Sequence, residues 1–349
     1  MNNTNRNITR QRYSHVDVAK GIGILLVVLG HALAYAGFAQ SSLFVTIYAF
    51  HMPFFFFISG YLHKTKSPND YYLGKVRTLL IPYLTFMGLN LVLFFLLKCI
   101  RLDKYYDKIR FGGMWFIITL LFVTVIYYTL RLVIYKWLGS GAKTELTLFT
   151  ILIFVLAIGL VYAKHISDEI NEPIATTFVG LFFYETGLIY NNFTKKVYKK
   201  IKSSVVVCRI VSALLGVLLF CIISFTVRFN TVSVDMNTSR YGRWYVFLFN
   251  AVLGMFALYF LSFAISHNKI LEFFGKNSLI ILMVHIPVSR SIIFICSHFE
   301  FNNYLKFGLG FVISLLLSIV GSFFINRYIP FLIGKFDWQA LYEYKKIEK

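Results

Sequence analysis

An all-α, polytopic bundle of about ten membrane-spanning helices, with both termini cytoplasmic, is the fold class this sequence predicts, and three observations carry it. Of the 349 residues, 58% are hydrophobic, 19% aromatic and only 14% charged, with a mean hydropathy of +0.69. That composition belongs to membrane proteins. The apolar residues gather into runs of about 20, the length that crosses a hydrocarbon core. The bases fall in short loops between those runs, and grouping them by loop puts 24 of the 35 Lys and Arg on the side that holds both termini. Such a bias orients a bundle with that side in the cytoplasm. The net charge of +20 would otherwise suggest nucleic acid, but no basic face or tail is built to hold one.

Residues 1–16 are polar, Asn-rich and basic, and read as a cytoplasmic tail; residues 17–333 form the membrane domain and 334–349 a charged cytoplasmic tail. The basic start, the first apolar run and Ala32-Leu33-Ala34 imitate a secretory signal. Cleavage is not expected, because the run continues to about Phe38, long enough to span. Ten spans follow at roughly 18–39, 42–62, 77–98, 113–135, 146–163, 173–190, 204–226, 244–265, 276–297 and 305–333, the last broken at its inner end by Pro330. Between the fifth and sixth, Asp168 to Glu172 make an acidic outer loop, whereas the loop at 98–112 is unusually basic for that side. The longest loops leave no room for a soluble domain. No nucleotide-binding fingerprint, internal repeat or low-complexity tract occurs, which leaves ATP-driven transport and dinucleotide redox chemistry unsupported. Cys99, Cys208, Cys221 and Cys296 lack metal-ligand spacing and read as packing residues; no metal is expected.

The first span carries Asp17, Lys20 and, eleven residues on, His31. Eleven steps of about 100° and 1.5 Å put Lys20 and His31 on one face about 16 Å apart. With Lys20 at the headgroups, His31 would stand near mid-membrane, where an ionisable ring marks a functional site unless it is merely satisfied within the bundle. The antiparallel second span brings His51 to a similar height, beside Pro53, which frees a carbonyl near Ala49 and can kink the helix. Ser59-Gly60-Tyr61 has the small residue of a close helix crossing. Lys75 and Arg77 open the third span at the cytoplasmic side, suited either to phosphates or to headgroup anchoring. Trp115 suits the outer aromatic belt. Glu185, inside an apolar run, requires a partner. Lys276 and His285, nine residues apart on the ninth span, partly repeat the Lys20-to-His31 arrangement.

Taken together, Lys20 and His31 with Asp17 before them, His51-Met-Pro53 through Phe-Ile-Ser59-Gly60-Tyr61, the basic approach to Ile81-Pro82-Tyr83, Trp115-Phe116, and Gly275-Lys276-Asn277-Ser278 to His285 resemble the integral-membrane acyltransferase-three family. Within it, the chain is most similar to the fucose 4-O-acetylase-like sugar acetyltransferase branch. The resemblance covers about residues 13–330. It implies an O-acyltransferase that moves an acyl group, usually acetyl, from cytoplasmic acetyl-CoA to a hydroxyl of a cell-envelope polysaccharide or lipid-linked sugar. His31 would be its catalytic histidine, with His51 and Asp17 in support; Lys20, Lys75 and Arg77 would lie near coenzyme A, joined by Ser59, Lys276 and His285. Lys20 stands where the family often has Arg, and a lysine holds phosphate as a point charge rather than bidentately.

On this reading the anionic end of coenzyme A stays at the basic inner mouth and its pantetheine arm runs down the Lys20 face to His31, the general base. An acyl-histidine relay is the variant. The expected location is the cell (inner or plasma) membrane, with membrane lipids as surroundings and a homo-oligomer as an option. Two rivals from other classes are a proton-coupled carrier or flippase for a glycan or lipid intermediate, and a non-catalytic partner of a polysaccharide assembly machine. Binding of acetyl-CoA discriminates among them.

Overall fold

The computed structural model describes residues 14–165, 172–198 and 204–335. Most of the two tails, most of the acidic segment at 168–172 and Lys199, Lys200 and Lys202 of the expected inner loops lie outside the described residues. In chain order the helices are α1 (Ser14–Tyr35), α2 (Ser42–Tyr48), α3 (His51–Tyr61), α4 (Pro68–Lys75), α5 (Ile81–Cys99), α6 (Tyr106–Ile109) and α7 (Met114–Leu138). They continue as α8 (Ala142–His165), α9 (Glu172–Tyr198), α10 (Val205–Thr226), α11 (Trp244–Ile265), α12 (Lys269–Lys276), α13 (Ser278–His298) and α14 (Asn303–Tyr328). The described residues hold no β-strand, only one isolated bridge between Asp235 and Arg240. The protein is a polytopic all-α membrane bundle.

Among the described residues, nine helical segments are long and apolar enough to cross a membrane. The sixth expected span, 173–190, corresponds to α9, which is 27 residues long but too polar to qualify by composition. Threonines and Glu185 lower its hydropathy, and it is tolerated because it packs inside the bundle: Ala175, Thr176, Thr177, Val179, Tyr184 and Glu185 are buried. Burial separates centre from rim. In the α2–α3 segment 78% of the apolar window is buried inside the protein, against 11% for the segment that begins with α10. The side chains α10 leaves uncovered are Val, Leu and Ile, suited to lipid.

The second span is two helices, not one kinked helix. Its break falls at Ala49–Phe50, four residues before Pro53, where proline leaves the Ala49 carbonyl without a helical donor. Phe50 turns inward there, fully buried, into a notch that Gly254 opens in α11; a Cβ on Gly254 would stand 2.2 Å from the Phe50 ring. The third span is longer than expected, running from Pro68 to Cys99 through a π-helical stretch at Val76–Leu80. Pro330 ends the last span as anticipated, and a short 3-10 turn, Pro330–Ile333, follows α14.

Two glycine crossings lock the centre. On α1 and α12, a Cβ on Gly21 would lie 2.0 Å from the Leu271 carbonyl oxygen and one on Gly275 1.9 Å from that of Asp17. On α3 and α9, Gly60 meets the Tyr184 carbonyl and Gly187 that of Phe57 at equally short range. The close crossing read from Ser59-Gly60-Tyr61 is therefore present, and helix backbones approach there as small residues permit.

A histidine cavity at one end of the bundle

α1 ends four residues after His31, so the ring stands nearer the Tyr35 end of the helix than its middle, a shift from the expected mid-depth. It lines a cavity of about 260 Å³ with His51, Tyr48 and Tyr35. Gly30 makes this possible, because a Cβ there would come within 2.9 Å of the Tyr48 ring. Tyr48 thus lies against α1, its hydroxyl 3.3 Å from His31 Nδ1 and its ring 4.7 Å from that of His51. The opposite wall is the Gly112–Phe116 entry into α7, where Gly113 has a positive φ of 72° and Gly112 packs on Ile286. Trp115 therefore belongs to the cavity wall, beyond the belt role read for it. Val234 to Asn237, from the loop before α11, complete the lining.

His51 and His285 share a local device. Each precedes a proline by two residues, Pro53 and Pro287, and each places Nδ1 at 2.8 or 2.7 Å from the carbonyl four residues earlier, Ile47 or Ile281. A carbonyl only accepts, so Nδ1 carries the hydrogen and Nε2 is left as a lone pair. His285 is fully buried, its Nε2 has no hydrogen-bond partner among the described residues, and its ring centroid is 5.2 Å from that of His31. The helix kept going past Pro287 carries His285 to His31, while Lys276 stays at the other end of the bundle.

The remaining sequence candidates spread over that other end. Asp17 is buried, its carbonyl against Gly275. Lys276 is ion-paired to Glu272 at 3.0 Å, and Glu272 also accepts from Ser14 and contacts His267. These donors, the Ser14 hydroxyl first, hold the Glu272 carboxyl down to about 2. Lys75 lies over the Tyr71 ring at 5.2 Å. Arg77 donates from Nε to the Gly334 carbonyl at 2.9 Å, clipping the π-helical stretch to the turn after α14. Ser59 donates to the Phe55 carbonyl of its own helix, a satisfied bond rather than an open ligand. Lys20 is half-buried on α1 and is absent from the cavity, whose α1 lining reaches Val27 and no further. One turn on from Lys20, Gly23 packs against Phe54 and Phe55 of α3.

Glu185 is fully buried, and among the described residues neither oxygen accepts a hydrogen bond; its nearest influence of opposite sign is Arg131. No group of three metal-ligating side chains occurs among the described residues. Sequence reasoning missed Tyr35, Tyr48, Asp235 and Arg290 in the cavity. Tyr35 follows His31 by one helical turn, and Arg290 is a cation inside an apolar span; both were available signals.

Such a wall of histidines suits proton transfer, and comparison with known proteins supplies its class. The profile of the acyltransferase-three family, described as an acyltransferase domain, matches residues 13–327. The chain belongs to this family. It is a multi-pass membrane protein of that family, and His31, His51 and His285 all lie inside the matched region. A relative is the nodulation protein NolL of Mesorhizobium japonicum (strain LMG 29417 / CECT 9101 / MAFF 303099), 41% identical over 86 residues. The match spans 22% of the acyltransferase and 23% of NolL, less than a quarter of that protein's length. No solved structure matches the acyltransferase.

Proposed function

We propose that this acyltransferase moves an acetyl group from cytoplasmic acetyl-CoA to a hydroxyl of a cell-envelope polysaccharide or lipid-linked sugar, in the manner of the fucose 4-O-acetylase-like branch. The single observation that carries the proposal is the cavity where His31 meets Tyr48, His51 and, behind it, His285. His31 takes the proton of the acceptor hydroxyl as that oxygen attacks the thioester carbonyl. The tetrahedral intermediate then expels the thiolate of coenzyme A, and the imidazolium returns the proton to sulfur. Asp17, Lys20, Lys75, Arg77 and Lys276 belong to the cytoplasmic donor side on this reading, and the Gly112–Phe116 wall faces the acceptor side. Both termini would then be cytoplasmic and the membrane the cell's inner or plasma membrane.

Delivery of the thioester from the Lys20 end requires a path along α1 to the cavity, whose α1 lining is Val27, His31 and Tyr35. The test is transfer of radiolabelled acetyl from acetyl-CoA by purified protein, with His31→Ala as comparison. Abolished transfer by a variant that elutes and melts like the parent is the expected result; full turnover by that variant removes His31 from the chemistry. Deleting the protein from its cell and reading O-acetyl signals of the envelope polysaccharide by NMR tests the acceptor class. Movement of substrate into vesicles without any binding of acetyl-CoA would replace the acyltransferase reading with that of a carrier.

A further inference from the structure

Three charged side chains reach the histidine cavity: Arg110, Asp235 and Arg290. Two are provided for locally. Arg110 pairs with Asp107 at 3.0 Å. Asp235 sits in a tight turn, its Oδ1 accepting the Asn237 N–H at 2.9 Å and its backbone bridged to Arg240. Arg290 differs. It enters from α13, five residues after His285, and among the described residues no carboxylate lies within ion-pairing reach of it. Its contacts include a hydrogen bond from one terminal nitrogen to the Asp107 carbonyl, 3.0 Å, and the Tyr35 side chain, whose ring lies 5.1 Å from the guanidinium and whose hydroxyl it also reaches. A guanidinium has five N–H donors in a planar fork, a shape that matches a carboxylate or phosphate. Held by a carbonyl and a tyrosine side chain, this one is oriented but not neutralised.

Its position relative to His31 is set by the same tyrosine. The Tyr35 ring is stacked on the His31 imidazole, 5.7 Å between centroids and 22° between planes, and also carries Arg290. One aromatic ring therefore spaces the base from the cation. Arg290 and His31 line the same cavity, each against Tyr35, so one bound molecule can present a hydroxyl to His31 and a separate group to Arg290.

Resting on the acyl-transfer reading above, we propose that Arg290 is the anion-recognition residue of the acceptor site, and that the acceptor carries a carboxylate or phosphate besides the hydroxyl that is acylated. Neutral sugars lacking that group fill the cavity but leave Arg290 unpaired, so the site selects against them. The oxyanion has two possible sources on the acceptor, a uronic-acid carboxylate or a sugar phosphate, and the chemistry is the same for both.

The test uses the full chain in phosphatidylcholine nanodiscs, with methyl glucuronide, glucose 1-phosphate and methyl glucoside as probes and binding read from ligand-induced shifts in melting temperature. The wild type should bind at least one anionic probe roughly tenfold more tightly than methyl glucoside, the factor one charge-assisted hydrogen bond supplies. Arg290→Gln should bring the two within about twofold. Arg290→Lys, which keeps the charge and loses the fork, should retain part of the preference and guards against misfolding of the glutamine variant. Equal binding of charged and neutral probes by the wild type, or a preference that survives Arg290→Gln, overturns the proposal. So does abolition of the preference by phosphatidylglycerol in the discs, since the oxyanion would then be a lipid headgroup's. A drop in turnover with unchanged acceptor KM in Arg290→Gln would also overturn it by placing the guanidinium at the reacting centre. Acetyl-CoA binding, measured separately, divides the two readings: charge preference without it removes the acyl transfer alone, and acyl transfer without charge preference removes the role of Arg290 alone.

Discussion

The imidazoles of His31 and His285 lie 5.2 Å apart between ring centroids, tilted by 47°, although 254 residues separate them in the chain. The Nδ1 of His285 is committed to the Ile281 carbonyl, so the nitrogen left over is a lone pair in a dry interior. Under the proposed base role of His31, that lone pair is placed to share the proton His31 would take up.

Replacing His285 divides these roles. His285→Asn keeps a donor for Ile281 and withdraws the Nε2 acceptor; His285→Gln keeps an acceptor near Nε2. The first should lower acetyl-transfer kcat by more than about tenfold with little change in KM, and the second should recover part of the loss. Profiles of kcat against pH for both variants check this, and identical profiles for the two would reduce His285 to packing.

Tyr48→Phe removes one oxygen, 3.3 Å from His31 Nδ1, and keeps the ring stacked on Phe44 at 3.9 Å. Stability should hold while kcat falls roughly five- to tenfold, the range of one net hydrogen bond of about 1 kcal/mol. Steady-state kinetics beside a melting curve separates the two effects.

His63 provides a pH dependence outside the membrane spans. It bonds the Tyr184 hydroxyl at 2.8 Å, and burial, then the nearby Arg131 and Lys75, lowers it from 6.5 to about 4. The folded state favours the neutral ring, so its contribution to stability is complete above pH 6.5 and is lost as pH falls through about 4. Melting temperature should decline over that interval, and His63→Gln should flatten the decline. An unchanged slope in the variant would assign acid sensitivity to other groups.

Gly275→Ala tests the crossing of α1 and α12. Its new Cβ would meet the Asp17 carbonyl oxygen at 1.9 Å, backbone against backbone, so the helices must separate at a cost of about 1–3 kcal/mol. Gly308→Ala on α14 meets nothing within 4 Å and should be neutral or stabilising by up to about 1 kcal/mol. Thermal denaturation in detergent compares them; equal melting temperatures would mean the crossing is slack.

Long apolar runs, the glycine of Ser59-Gly60-Tyr61, the break near Pro53 and the ending at Pro330 were legible in the sequence because each is a local consequence of hydropathy, side-chain size or a missing N–H. The two histidines of the cavity wall, His31 and His51, were legible for the related reason that an ionisable ring in an apolar run is costly wherever it points. Periodicity along one helix says which face a residue occupies, and it placed Lys20 and His31 together correctly as a face. What that face meets is decided by other helices. Only tertiary packing brought the His285 ring to His31, packed Phe54 and Phe55 on Gly23, and set Tyr35 against both His31 and Arg290, because contacts across a bundle depend on crossings such as Gly21 with Leu271 and Gly254 with Phe50 that no single stretch of chain contains.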